Sequence, residues 1–125
     1  MYALERFRSL VRSLSWVEIE FARPAVRPGH VEALAAFYWT LDDWSRRIAL
    51  VQLVQDQDHP ALRTVMLDVL RAPLTEDTEN VELTKAAALR LIDPRYDTFM
   101  AFYEDRAALA AAVHEVLAAH GSGVE

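Results

Sequence analysis

Glycine is the residue that most narrows what this chain can fold into. Of the three glycines among its 125 residues, Gly121 and Gly123 fall in the last five positions, and only Gly29 precedes them. Tight hairpins draw on glycine for backbone angles with positive φ, so a fold built on many β-turns lacks its usual turn residue here. The expectation is an all-α protein. Hydrophobic residues make up 53% of the chain and charged residues 26%, the balance of a packed globular domain and not of a disordered one. A chain this long is the size of one domain and can bury roughly two thirds of its extended surface.

Apolar spacing supports helices along most of the length. Leu4, Phe7, Val11 and Leu14 recur at helical intervals, which predicts a helix over about residues 2–13 with Arg6, Arg8 and Arg12 beside the stripe. Ser15-Trp16-Val17-Glu18 has capping-box spacing, so a short second helix is expected to run to Arg23 and stop before Pro24. Val17, Ile19 and Phe21 also alternate with Glu18 and Glu20, which is strand spacing. No second strand pattern exists to pair with it, and helix is the preferred reading. Residues 24–29 hold two prolines and Gly29 and read as a connector.

From His30 the pattern is of helices of about 10–14 residues separated by short breaks. Val31, Leu34, Phe37, Tyr38 and Leu41 form one apolar face. Asp42 and Asp43 end that helix and suit the positive N-terminal end of the next one. There Trp44, Ile48, Val51 and Val54, widened by Leu50 and Leu53, predict burial on most sides. After the 56–59 loop, Pro60 is placed to open a helix bearing Leu62, Val65, Met66, Val69 and Leu70. A loop over 73–78 leads to a helix over 80–92 with Ala86, Ala87 and Ala88 at its centre. Pro94 opens a further helix striped by Tyr96, Phe99, Met100 and Tyr103, expected as core with an exposed groove as the alternative. The last helix, about 105–119, carries Leu109, Val113, Val116 and Leu117 and stops at Gly121.

Two of these segments resemble each other and a known pattern. Residues 41–53 hold an Asp-bearing turn, then Arg46, then Ala49-Leu50, then a closing Leu53, and this resembles the turn and second helix of a HEAT repeat. Residues 77–92 follow it more loosely, with Asp77 in the turn, Lys85 in place of Arg, Ala88-Leu89 and a closing Ile92. Ala49 and Ala88 stand 39 residues apart, against a period of roughly 40–47 in such arrays. The resemblance covers about residues 30–120. It implies a short stack of antiparallel helix pairs, an α-α superhelix, with a compact helical bundle as the alternative. On this reading residues 1–120 are one helical domain, 1–29 its N-terminal capping segment and 121–125 a tail.

Several function classes are disfavoured. With no cysteine there is no disulfide framework and no thiolate metal site. The net charge is −6, and residues 1–28 hold five arginines against three glutamates, leaving −8 for the rest. Nucleic acid is not expected as a partner, because no basic stripe follows Arg27. No run approaches the roughly 18 apolar residues of a membrane span, and the start lacks a signal-peptide core, so a cytoplasmic location is expected. His114 and His120 flank a Glu in a way that suggests a zinc-protease motif. They lie six residues apart, about 240° around a helix, and cannot converge on one metal. Asp56-Gln57-Asp58-His59 lacks the glycine and further ligands of a calcium loop. No phosphate cradle or nucleophile elbow is present. No catalytic residue, metal or cofactor is assigned, and an enzyme is the minor reading.

The function expected is a protein–protein interaction module, adaptor or subunit, whose partner is another protein or peptide segment or a second copy of the chain. If the second helix of each pair lines a concave surface, the binding strip runs through Ser45, Gln52, Glu82, Arg90 and His114. Asp43, Arg46, Asp77 and Lys85 are expected to support the turns. The rival is a homodimeric helical bundle with Trp16 to Phe21 and the aromatic stripe at its interface, and a third reading is a pocket between helices.

Overall fold

The computed structural model describes residues 3–73, 78–93 and 106–121, and every regular element among them is helical. The protein is all-α. The expected helix bearing Tyr96, Phe99, Met100 and Tyr103 lies outside the described residues, as do Asp77 and residues 122–125. The chain divides into two compact units, residues 1–65 and 66–125, with the division inside one helix and not at the 24–29 connector.

Unit 1 begins with α1 (Leu4–Arg12), which buries Phe7, Leu10 and Val11 and leaves Glu5, Arg6 and Arg12 in water. Its end departs from expectation. Leu14 takes a left-handed backbone with φ of 52°. The Leu14 N–H donates to the Val11 carbonyl and the Ser15 N–H to the Leu10 carbonyl, which is the paired bonding of a Schellman cap. A leucine there costs roughly 1–2 kcal/mol where glycine would cost little. The turn is tight enough to start α2 (Trp16–Ala22) two residues later, and this settles the helix-or-strand question in favour of helix. The expected capping box does not form. Ser15 shares its hydroxyl with Ser13 at 2.7 Å, and Glu18 reaches Arg6 at 2.6 Å instead of returning to the helix start.

A single 3₁₀ turn, Arg23–Ala25, follows α2. The next helix, α3 (Pro28–Tyr38), opens two residues before the expected His30 because Pro28 sits at its first position, where the missing N–H is no loss. His30 Nδ1 accepts the Arg27 N–H at 3.1 Å and closes that first turn. Asp43 then caps α4 (Trp44–Val54), accepting the Arg46 N–H at 3.1 Å, as its place before an apolar run predicted. Seven consecutive residues of α4, Ile48 to Val54, are buried. No helix lying on a surface can bury seven in a row, and α4 accordingly packs against α1, α2 and α3 at once.

Pro60 opens a 3₁₀ turn, Pro60–Leu62, where His59 Nδ1 accepts the Ala61 N–H, and α5 (Arg63–Val69) follows. In unit 2, α6 (Thr78–Ile92) and α7 (Arg106–Val116) lie against each other, and α7 ends in a π-helical turn, Leu117–Gly121. Ala86, Ala87, Ala88 and Leu89 are all buried on α6, as are Leu109, Ala112, Val113 and Val116 on α7.

Candidate functional site

The strip predicted for binding is only partly open. On α4, Ser45 is exposed, but Ala49 is fully buried and Gln52 retains only 9% of its surface. The sequence made this the less apolar side of α4. The helix has neighbours all round, however, so a small alanine and an amide on that side are packing residues and offer no open face. On α6 and α7 the strip fares differently. Glu82 and His114 come together in one hollow, whereas Arg90 is half-buried and stands outside it.

That hollow, about 250 Å³, lies between α6 and α7. From α6 come Glu82 and Lys85, and from α7 come Leu109, Ala110, Val113 and His114, with Leu117 just beyond. Lys85 is half-buried, and burial pushes its ammonium below the usual lysine range, with the Glu82 carboxylate opposing in part. Lys85 is the chain's single lysine. The sequence placed it within the 80–92 helix, at the position where the repeat pattern has Arg, and the structure has it in the middle of α6, lining the hollow against α7.

The Asp43–Arg46 pair does support a turn. The Arg46 guanidinium lies 3.3 Å from Asp43, and its Nε donates to the Arg12 carbonyl at 2.8 Å, tying the end of α1 to the start of α4. Next to it, Arg47 sets its guanidinium 5.1 Å from the Tyr38 ring, 5.8 Å from Trp39 and 5.4 Å from Trp44, and donates to the Leu41 carbonyl. The two tryptophans flanking the α3–α4 turn thus enclose the chain's own cation. Trp39 keeps 48% of its surface exposed.

A second, shallower hollow of about 590 Å³ is lined by Arg8, Arg12, Ala33, Ala36, Phe37 and Thr40. Both guanidiniums stand over the Phe37 ring, at 5.9 and 5.2 Å. Glu5 bridges them, at 2.8 Å from Arg12 and 3.4 Å from Arg8, and these cations hold its carboxyl below the usual glutamate range. The three arginines beside the α1 stripe are engaged within the unit, Arg6 with Glu18 and the other two with Glu5.

Among the described residues, the most exposed large apolar side chains lie on α2. Val17 and Phe21, one helical turn apart, keep 71% and 75% of their surface open, while Ile19 and Ala22 on the opposite side are fully buried. The charges beside this ridge have internal partners. Glu18 pairs with Arg6, and Glu20 pairs with Arg23, which also forks onto Asp56 at 2.9 and 3.1 Å. The Asp56 hydrogen bonds, against a smaller opposing effect of burial, keep Arg23 more firmly protonated than an isolated arginine. Asp56 and His59, which the sequence placed in an acidic loop, thus serve an ion pair and a helix start.

Among the described residues, no group of three or more histidines and carboxylates is placed to hold a metal ion. No described helix is long and apolar enough to cross a membrane. No protein-family model, curated protein or solved structure matches the chain.

Proposed function

We propose that this chain is a protein–protein interaction module, a short stack of helices of the HEAT-like kind that its Asp43–Arg46 turn resembles, and that it docks through the outer face of α2. The observation that carries the reading is the exposure of Val17 and Phe21 on a helix whose other face is core. Large apolar side chains grouped on one exposed helix face are a feature of interaction surfaces.

The occupant that fits is a second copy of the same ridge. With Glu18 and Glu20 each engaged by an arginine of its own chain, two identical ridges meet without bringing unpaired acids together. A differently charged partner would have no uncompensated charge here to recognise. Phe21 can remove on the order of 150–250 Å² from water and Val17 less, together far below the roughly 800 Å² per partner of a stable interface. The association is therefore weak and concentration-dependent.

Light scattering after size exclusion, repeated from micromolar to millimolar loading, tests this. The expected result is a mass that rises toward the dimer with concentration, and that stays monomeric in the Val17→Asp/Phe21→Asp double variant. Thermal melting should be unchanged in that variant, since both residues face water. A wild-type chain that remains monomeric at millimolar concentration overturns the docking face.

A further inference from the structure

We infer that the hollow between α6 and α7 is a site for a compact apolar aldehyde or ketone, held reversibly as an imine on Lys85. The site lies wholly in unit 2 and is independent of the α2 ridge. Three features converge on this class of ligand. The walls from α7 are Leu109, Val113 and, at the rim, Ala110, and such walls reward an alkyl or aryl substituent and repel a hydrated ion. The volume, about 250 Å³, is that of a small molecule and not of a peptide helix. The polar groups are one amine, one carboxylate and one imidazole: Lys85, Glu82 and His114. That set suits carbonyl chemistry better than simple anion capture, because Glu82 repels a carboxylate or phosphate approaching Lys85.

An amine adds to a carbonyl only as the neutral base, and desolvation of the ammonium is a recognised way to supply that form near neutral pH. Burial acts on Lys85 in that direction, although Glu82 tempers it. The balanced step is short. The Lys85 nitrogen lone pair forms the C–N bond, and the carbonyl oxygen gains a proton to give a carbinolamine. Its hydroxyl then leaves as water with a proton supplied by His114, the C–O bond breaks, and nitrogen's remaining proton is lost as C=N forms. Nothing is oxidised or reduced, and water reverses the sequence.

The chain's single lysine makes the test clean. The 125-residue chain is treated at low conversion with hexanal or, separately, with glyoxylate, each with cyanoborohydride to fix the imine. Label at Lys85 is then measured by peptide mass spectrometry relative to label at the N-terminal α-amine. Hexanal should raise that ratio about tenfold over glyoxylate, which is what sheltering two methylene groups from water is worth. Ala110→Glu, at an exposed wall position, should bring the hexanal ratio down to the glyoxylate value without lowering the melting temperature. His114→Gln should slow Lys85 labelling and leave the α-amine unaffected. Equal ratios for the two aldehydes, or a hexanal preference that survives Ala110→Glu, would overturn the site.

Discussion

The two units hold their helices together by different means. In unit 1, arginines bridge positions far apart in sequence. Arg23 grips Asp56 from 33 residues away, and Arg46 reaches the Arg12 carbonyl from 34. Gln57 adds a bond to the Val26 carbonyl, so the connector after α2 and the loop after α4 are fastened to each other twice. In unit 2, the described interiors of α6 and α7 are apolar and rich in short side chains, with Ala86, Ala87, Ala88 and Leu89 buried on one and Leu109, Ala112, Val113 and Val116 on the other. The difference has a physical origin. Arginine carries a long stem and a planar fork that spans gaps between loops, whereas alanine spans nothing and works only by letting backbones close in. Unit 1 can therefore tolerate irregular connections, such as the left-handed Leu14, that a closely apposed helix pair could not.

The sharpest way to break this comparison is to damage one interior and watch the other. Phe7 is fully buried in unit 1, and Leu89 is fully buried in unit 2. Phe7→Ala is expected to cost about 3–5 kcal/mol and Leu89→Ala about 2–5 kcal/mol. Amide hydrogen exchange read by mass spectrometry should show the first loss concentrated in α1–α4 and the second in α6 and α7. Uniform loss of protection along the whole chain in both variants would mean that the two units melt as one, and the contrast would have no energetic content.

A smaller effect tests the arginine stitching itself. Arg23→Ala removes a two-pronged contact to Asp56 and the pairing with Glu20. Since the Arg23 side chain is only a quarter exposed but Asp56 is nearly half exposed, the expected cost is about 1 kcal/mol, the upper end for pairs open to solvent. Arg23→Lys should recover little of it, because an ammonium cannot fork onto both oxygens. Full recovery by lysine in urea unfolding would reduce the contact to simple charge attraction.

What could be read from the sequence follows the same division between local and distant causes. The Asp43 cap, the opening of a turn by Pro60 and the all-round burial of α4 each depend on residues three or four apart, and the pattern states them outright. The Arg23–Asp56 fork has no such signature, because neither residue announces which loop will face it. The capping box at Ser15 is instructive in the other direction. Its spacing is correct, but Arg6 and Ser13 compete for the same two side chains and win. Gln52 misled for a related reason, since a polar residue among apolar ones marks a face and does not say whether that face is covered. Of the proposed strip, only Glu82 and His114 meet, and their meeting depends on the α6–α7 contact, which no repeat pattern in this sequence describes.

The smallest expected effect also separates the two units by sign. Glu5, about two-thirds exposed, has its carboxyl held below the usual 4.5 of a free glutamate by Arg12 and then Arg8. A lowered folded value means that ionised Glu5 favours the fold above the ordinary range, and that this contribution disappears as pH falls through the folded value. Lys85 works the other way. Burial lowers it from 10.5, so the folded chain resists carrying the proton, and the penalty is in force below the folded value and fades as pH climbs toward 10.5. Glu5→Gln should therefore lower the unfolding midpoint slightly at neutral pH, with the difference from wild type vanishing only once the pH has fallen below the lowered folded value. Lys85→Met should raise the midpoint at neutral pH, with the gain shrinking as alkali neutralises lysine in both states. Charge at Glu5 thus favours the fold, and charge at Lys85 opposes it. A Lys85→Met variant less stable than wild type at neutral pH would show that the pairing with Glu82 outweighs the burial, and the contrast in sign would fail.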